Sequence, residues 1–207
     1  MTLRLLIVTV LLLLSLFVFL GIADVIVLNH HDGFDTSIFQ KLSFLTSPFV
    51  TRLMLFFTFF GSDTFLFLAY TLLVAYFLFI KKSIKVSLGI AAIGIFTKIL
   101  LVFTKGVFKR QRPLDPLIQN VPGYSFPSGH AFNSFTFFGL LVYLLWKSRA
   151  KKRWKYLISI VFILLASCIA FTRVYLHVHY ASDVIGGFCL SMLWLTFSLG
   201  VLNKINA

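Results

Sequence analysis

A short polar turn at residues 124–130, with the sequence YSFPSGH, separates two long apolar segments. Pro127 and Gly129 interrupt the apolar pattern, and Ser128 is a residue type that commonly caps the start of a helix. The unpaired N–H groups and the positive dipole end of such a helix favour a bound anion such as phosphate. His130 stands beside them and can donate or accept a proton near neutral pH. The turn therefore predicts an anion site with an acid–base group.

Other polar side chains able to do chemistry lie at the ends of neighbouring apolar segments. Lys105 and Arg112 follow the third apolar segment, and Arg173 ends the fifth. His179 precedes the sixth segment, and Asp183 stands at its start. Because these ends fall on the same side of a bundle whose helices alternate in direction, we expect these residues to meet at one depth.

This set of residues suits phosphoryl transfer, in which catalysis is mostly positioning and charge stabilisation. The cations Lys105, Arg112 and Arg173 can neutralise the phosphoryl oxygens, and the N–H groups near Ser128 and Gly129 can complete the cradle. These five residues are the predicted phosphate-binding group.

The predicted catalytic residues are His179, His130 and Asp183. Asp183 lies four residues after His179, close to one helical turn, so its carboxylate can accept a hydrogen bond from one ring nitrogen. The other nitrogen is then free to attack phosphorus. His130 has no carboxylate near it in sequence and is the natural acid for the departing oxygen.

Composition decides what kind of protein must position these residues. The chain has 207 residues, of which 59% are hydrophobic and 12% charged, and its mean hydropathy is +0.98. These values are typical of helical proteins that cross a membrane several times. The net charge of +13 does not indicate nucleic-acid binding, because most basic residues punctuate apolar segments as membrane loops do. The acidic residues, all aspartates, are too scattered for a metal site, and we expect no metal and no other cofactor.

The apolar pattern predicts an all-α integral membrane bundle that forms a single domain over residues 1–207. A cleaved signal peptide ending near Gly21 is the competing interpretation of the first segment, which we take as a retained span. Between spans one and two, an amphipathic helix at 34–45 is expected on the membrane surface. The apolar stretch at 48–60 is too short to span and is expected to form a second short helix that is interfacial or partly embedded. The six predicted transmembrane helices cover residues 5–28, 62–80, 86–104, 131–146, 156–172 and 184–202.

Basic residues predict the orientation of the bundle. Lys81, Lys82, Lys85 and the cluster at 147–155 fall on the side that also holds both chain ends, which places both termini in the cytoplasm. The candidate site then lies on the extracytoplasmic side. Lys98, inside the third span, is open to two interpretations: a functional intramembrane lysine, or a side chain that reaches the interface.

The order and spacing of these residues resemble the signature motifs of the type-2 phosphatidic acid phosphatase superfamily. The three matching stretches, all within residues 105–183, are Lys105 to Arg112-Pro113, Pro127-Ser128-Gly129-His130, and Arg173 through His179 to Asp183. The compact arrangement is similar to that of bacterial membrane lipid phosphatases, such as phosphatidylglycerophosphate phosphatases of the B type and undecaprenyl-pyrophosphate phosphatases.

The resemblance implies a metal-independent phosphatase or pyrophosphatase in a bacterial plasma membrane. His179 is expected to form a phosphohistidine, and His130 to protonate the leaving group and then activate water. The substrate would be a phosphate monoester or pyrophosphate of a membrane lipid, with the head group undecided between phosphatidylglycerophosphate, undecaprenyl pyrophosphate, phosphatidate and diacylglycerol pyrophosphate. The oligomeric state is not readable from the motifs.

Three positions depart from the usual pattern of that superfamily. Thr172 stands where Ser is usual before the arginine, and Ala181 where Pro is common after the nucleophile. His177 replaces a common glycine and is expected either to contact the head group or to face solvent. Two other functions stay open: a phosphotransferase that uses the same site with a lipid acceptor, and, with weaker support, a transporter that binds an anion.

Overall fold

A computed structural model describes residues 3–29, 32–119 and 121–205, and the chain is helical without β-strands in these ranges. Helices α1 and α4 continue as the π-helical stretches Ile22–Leu28 and Tyr76–Ile80, and a 3-10 turn, Ser43–Leu45, follows α2. The all-α prediction is confirmed. The α-helices are α1 (Leu3–Gly21), α2 (Gly33–Leu42), α3 (Pro48–Phe59), α4 (Asp63–Ala75), α5 (Ile84–Phe108), α6 (Gly129–Lys147), α7 (Lys152–Tyr175) and α8 (Ala181–Ile205).

Five helical stretches among the described residues are long and apolar enough to cross a membrane. They are Leu5–Leu28, Pro48–Ile80, Ile84–Phe108, Lys152–Tyr175 and Ala181–Lys204. Helix α6 is not one of them, because polar residues such as His130 and Asn133 lower the hydropathy of its first turns. The count of six spans and the surface position of α2 and α3 therefore stay predictions.

Helix α6 is the centre of the bundle and packs mainly against α7 and α8. Ala131, Phe132 and Leu140 on α6 are completely buried. Close approach at the start of α6 depends on Gly187 of α8, where a Cβ atom would stand only 2.7 Å from the Ser128 carbonyl oxygen. A side chain there would push α8 away from the turn at residues 124–130.

Helices α2 and α3 pack at the end of the bundle where α7 ends and α8 begins. Ser47 caps α3, since its Oγ accepts a hydrogen bond from the Val50 N–H at 3.3 Å. The Tyr175 hydroxyl, at the end of α7, lies 3.0 Å from Thr51 Oγ1 and accepts from the Ser47 N–H at 3.3 Å. The start of α3 is thereby fixed to the end of α7.

Between α5 and α6, residues 109–119 and 121–128 are irregular and lie across the same end of the bundle. Backbone hydrogen bonds hold them there: Leu117 N–H donates to the Leu176 carbonyl at 3.0 Å, and Ser128 N–H to the Asp183 carbonyl at 2.9 Å. The Phe126–Pro127 peptide bond is cis. Both stretches therefore lie directly against the ends of α7 and α8.

Candidate active site

His179 lies in the turn between α7 and α8 and is almost completely buried. Its Nδ1 is 3.4 Å from Asp183 Oδ2, and its Nε2 is 3.1 Å from Arg112 Nη1. Because a guanidinium can only donate, Nε2 must accept, which places the ring proton on Nδ1 facing the carboxylate. Asp183 Oδ2 also accepts from the Tyr180 N–H at 2.9 Å, which fixes the carboxylate. The imidazole is thus held with its Nε2 lone pair directed towards Arg112.

Burial lowers the pKa of His179 from 6.5 to about 3, although the hydrogen bond to Asp183 and its charge act in the opposite direction. The imidazole is therefore neutral at physiological pH. A neutral imidazole with one free lone pair is the form that can act as a nucleophile.

Arg112 is oriented by backbone carbonyl groups of the two segments that flank it. Its Nη1 donates to the Val178 carbonyl at 2.7 Å, its Nε to Gly123 at 2.9 Å and its Nη2 to Pro122 at 3.0 Å. Burial lowers the pKa of Arg112, and the Asp183 carboxylate opposes this shift. The guanidinium is positioned over His179 without a carboxylate directly bonded to it.

Lys105 and Arg173 supply the other two predicted cations. Lys105 Nζ, near the end of α5, donates to the backbone carbonyls of Tyr124 and Ser125. Arg173 is buried and donates from Nη1 to Thr58 Oγ1 at 2.7 Å, while its Nε is buried without a hydrogen-bond partner. Among the described residues, no group of three or more His, Cys, Asp or Glu side chains could hold a metal ion. Lys105, Arg112 and Arg173 are thus the three predicted cations that the structure places at the site.

The start of α6 presents the remaining predicted residues. Ser128 occupies the N-cap position, but its buried Oγ makes no capping hydrogen bond and has no partner. At Gly129, a Cβ would stand 3.0 Å from the Leu101 side chain, so the helix start packs closely on α5. His130 follows in the first turn, and the groups acting on it electrostatically are Arg173, His179, Arg112 and Lys105. The structure therefore brings all the sequence-predicted site residues together.

Ser125 and Arg110 also contact Asp183, although neither belongs to the residues predicted from the sequence. Ser125 Oγ donates to Asp183 Oδ2 and lies 3.3 Å from His179 Nδ1. Arg110 Nη1 donates to the other carboxylate oxygen, Asp183 Oδ1, at 2.8 Å. Both oxygens of Asp183 are consequently fixed by groups outside the His179 pair.

Arg110 connects Asp183 to a second buried carboxylate, Asp35 of α2. Arg110 Nη2 lies 2.9 Å from Asp35 Oδ2 and 3.0 Å from Asp32 Oδ1, and the guanidinium stacks 3.9 Å from the centre of the Tyr180 ring. Burial lowers the pKa of Arg110, but the carboxylates of Asp183 and Asp35 outweigh it and raise that pKa above its ordinary value. Arg110 stays charged.

The position of Asp35 differs from what an amphipathic surface helix predicts. A surface helix is expected to turn its aspartate to water, yet Asp35 is fully buried. Its oxygens accept from the Ser182 N–H at 2.9 Å and the Ser182 Oγ at 2.5 Å, which ties α2 to the start of α8. Two features of the sequence could have indicated this contact: Arg110 lies two residues before Arg112, and Asp35 is one of few acidic residues in a basic chain.

A contact of His177 with the head group stays a prediction, and the structure places the His177 ring against helix α2. His177 is half-buried, and its ring packs on Phe39 of α2 with the ring centres 4.6 Å apart. Its φ of +53° lies in the left-handed region that glycine adopts most easily, which accounts for the common glycine at this position. Phe39 also contacts the Tyr180 ring at 5.7 Å. Helix α2 therefore contacts residues that precede and follow His179 in the chain.

A cavity of about 690 Å³ lies between α4 and α5 and reaches Asn133 of α6, one helical turn beyond His130. Its walls are mostly apolar, with Leu66, Phe67 and Ile95 among them. Lys98 lines it and forms an ion pair with Asp63 at 2.5 Å. The two interpretations of Lys98, a functional intramembrane lysine and a side chain that reaches the interface, both stay predictions beside this pairing. We refer to this space as the lateral groove.

Comparison with known proteins gives consistent matches over most of the chain. The profile of the PAP2 superfamily matches residues 65–207. Phosphatidylglycerophosphatase B of Bacillus subtilis is 30% identical over 199 residues, covering 93% of this chain and 95% of the relative. Undecaprenyl-diphosphatase of Sulfolobus acidocaldarius is 28% identical over 186 residues, covering 84% of each chain.

A solved structure is similar over nearly the whole chain. It is the transmembrane PAP2-type phosphatidylglycerolphosphate phosphatase from Bacillus subtilis, which superposes with a TM-score of 0.85 at 26% identity. The match covers 93% of this chain and 96% of that one. Together with the apolar helices, it identifies a multi-pass membrane protein.

Proposed function

The chain belongs to the PAP2 superfamily, and from this premise we propose that it hydrolyses a phosphate monoester or pyrophosphate of a membrane lipid through a phosphohistidine intermediate, without a metal ion. The match confirms the family resemblance seen in the three motifs, and the protein is a phosphoric ester hydrolase of the lipid phosphatase type. The observation that carries the mechanism is the neutral, buried His179 held between Arg112 and Asp183.

In the first step, the phosphoryl group binds at the start of α6. Its oxygens accept hydrogen bonds from Arg173 Nε and Ser128 Oγ, which have no other partner among the described residues. They also accept from the Arg112 N–H that otherwise faces His179. The Nε2 lone pair then attacks phosphorus, and the bond from phosphorus to the lipid oxygen breaks. The negative charge of the bound phosphate favours the protonated form of His130, which then gives this proton to the lipid oxygen and becomes neutral. Asp183 stabilises the positive charge that develops on the imidazole.

In the second step, His130 acts as a base and His179 is the leaving group. His130, now deprotonated, takes a proton from a water molecule as the water oxygen attacks phosphorus. The bond between phosphorus and Nε2 breaks, inorganic phosphate leaves, and His179 returns to its neutral form. The cations balance the phosphoryl charge in both steps, so no metal ion is needed for neutralisation.

The surroundings of the site, the basic clusters and the relatives support the proposed lipid substrate and membrane side. The lateral groove beside His130 offers an apolar space for lipid tails. The basic clusters at 81–85 and 147–155 support cytoplasmic termini and an extracytoplasmic site. The names of the two relatives make phosphatidylglycerophosphate and undecaprenyl pyrophosphate the principal substrate candidates.

Phosphate release by the purified protein in detergent, with excess chelator, tests this proposal. Both candidate lipids are supplied separately, and the variants are His179→Ala and, as a matched control in the same turn, His177→Asn. We expect release that survives the chelator, disappears in His179→Ala and persists in His177→Asn. Brief incubation with a ³²P-labelled lipid should label the wild-type chain through an acid-labile bond.

Three results would contradict the proposal in different ways. Loss of release on chelation would mean that a metal ion takes part. Transfer of the label to a second lipid without phosphate release would identify a phosphotransferase. Binding of inorganic phosphate without turnover of either lipid would favour an anion-binding protein.

A further inference from the structure

Three polar side chains form a small cluster in the mostly apolar lateral groove. Lys98 Nζ pairs with Asp63 Oδ2 at 2.5 Å, and Asn133 Nδ2 lies 3.5 Å from Asp63 Oδ1. Asn133 is only 9% exposed, and its Oδ1 is buried without a hydrogen-bond partner. A buried amide oxygen left unpaired is costly, which points to a ligand or water that completes the site.

The cluster lies next to the phosphate site, further into the membrane. Asn133 stands one helical turn after His130 on α6. Lys98 comes seven residues before Lys105 on α5, which is about 10 Å along the same face of the helix. Gly129 packs against Leu101, so the start of α6 and Lys98 are separated by roughly one turn of α5. In a lipid whose phosphate occupies the site, the atoms that follow the leaving oxygen towards the tails would lie beside this cluster.

The cluster has more hydrogen-bond donors than its contacts within the protein use. An ammonium group has three N–H donors, and the described contacts of Lys98 use one of them, on Asp63. The Asp63 carboxylate balances the lysine charge, so the cluster favours a neutral acceptor over a second anion. Hydrocarbon chains offer no acceptor at all. Ester carbonyl oxygens are neutral acceptors and lie close to the phosphate in a diacylglycerol phosphate.

We propose that Lys98, Asp63 and Asn133 form a subsite for the ester carbonyl region of a glycerolipid. This inference rests on the proposed function and narrows it. Lys98 donates to a carbonyl oxygen, and Asp63 orients the ammonium group. Asn133 Oδ1 accepts from a water molecule, which donates its other O–H to the ester group. The subsite makes the enzyme prefer lipid phosphates with ester-linked glycerol over polyprenyl pyrophosphates, whose isoprenoid chains carry no carbonyl group.

A pair of substrates that differ only in the carbonyl groups tests the subsite. These are 1,2-diacylglycerol 3-phosphate and its 1,2-dialkyl ether analogue with tails of equal length. One hydrogen bond from a charged donor predicts a preference for the ester of roughly tenfold in kcat/KM for the wild type. Lys98→Met should abolish this preference by slowing the ester alone. Lys85→Met, at the opposite end of α5, is the matched control and should keep the preference.

Two further arms separate a binding role from a structural one. The double variant Asp63→Asn/Lys98→Gln keeps a neutral hydrogen-bonded pair, and it should also lose the preference while melting close to the wild type. Undecaprenyl pyrophosphate should be hydrolysed equally by the wild type and by Lys98→Met. An equal slowing of all three lipids would show that the ion pair only supports the fold, and equal rates for ester and ether in the wild type would overturn the proposal.

A readout without turnover distinguishes this proposal from the proposed function. Diacylglycerol, which lacks the phosphate, should raise the melting temperature of the wild type more than dialkylglycerol does, and Lys98→Met should remove that difference. If no lipid phosphate is hydrolysed while this difference persists, the proposed function fails and the subsite stands. If hydrolysis is normal and the difference is absent, the subsite fails and the proposed function stands.

Discussion

Replacement of Arg110 by methionine tests whether a residue outside the predicted site positions Asp183. Arg110 is 8% exposed, and its loss leaves two fully buried carboxylates, Asp35 and Asp183, without their shared cation. Removing one partner of a buried ion pair costs about 3–5 kcal/mol. We therefore expect a large fall in the melting temperature of Arg110→Met in detergent. Arg149→Met, an exposed arginine between α6 and α7, is the matched control and should melt like the wild type.

The effect on catalysis should be separable from the effect on stability. When Asp183 loses its bond to Arg110, only Ser125 and the Tyr180 N–H still hold the carboxylate, so the His179 ring is positioned less accurately. A misplacement of this kind costs about 10²-fold in rate. The double variant Arg110→Met/Asp35→Asn removes one of the two unbalanced charges. It should recover part of the melting temperature but none of the kcat/KM for phosphate release.

Asp35→Asn alone supplies the comparison that can refute this reasoning. It leaves the bond between Arg110 and Asp183 intact, so its kcat/KM should stay well above that of Arg110→Met. If Arg110→Met is destabilised but keeps a kcat/KM close to the wild-type value, Arg110 only supports the fold. If Asp35→Asn is as inactive as Arg110→Met, the position of α2 rather than the contact with Asp183 controls the site.

Three shorter predictions concern other features of the site. Because burial holds the folded-state pKa of His179 at about 3, below 6.5, its contribution to stability is fully present above pH 6.5 and is lost as the pH falls. Melting temperatures should therefore fall more steeply in the wild type than in His179→Asn between pH 6.5 and about 4. Ser128→Ala should lower kcat by about 10²-fold with little change in melting temperature, since its Oγ has no partner in the fold; the reverse pattern would assign it a structural role. His177→Val should destabilise by about 1–2 kcal/mol relative to His177→Gly, because a β-branched residue resists a positive φ; equal melting curves would contradict this.

The parts of the site that the sequence could predict are those at the ends of helices. Lys105, Arg173 and the residues that open α6 each follow or precede an apolar segment, so their shared depth follows from the alternation of helix directions. The pairing of His179 with Asp183 was also predicted, but for a partly different reason. His179 lies before α8 begins, and the Tyr180 N–H holds the carboxylate in the turn.

The contacts that could not be predicted join residues far apart in the chain. Asp35 meets Ser182 across 147 positions, and Arg110 meets Asp183 across 73. No local periodicity records such pairs, and the spacing of α2 indicated an aspartate on the water side. A charged residue is buried only where the fold places an oppositely charged or hydrogen-bonding partner beside it. A single sequence does not show that placement.

Helix α6 has a consequence for how the protein enters the bilayer during its synthesis. The side chains that make its first turns useful, His130 and Asn133 among them, also make it too polar to meet the hydropathy expected of a spanning helix. In the finished bundle these turns are enclosed by α7 and α8. In the predicted six-span topology, membrane insertion of α6 therefore depends on helices synthesised after it. An apolar substitution such as Asn133→Leu would ease insertion while removing a polar group from the groove. Biogenesis and chemistry place opposite demands on this one helix.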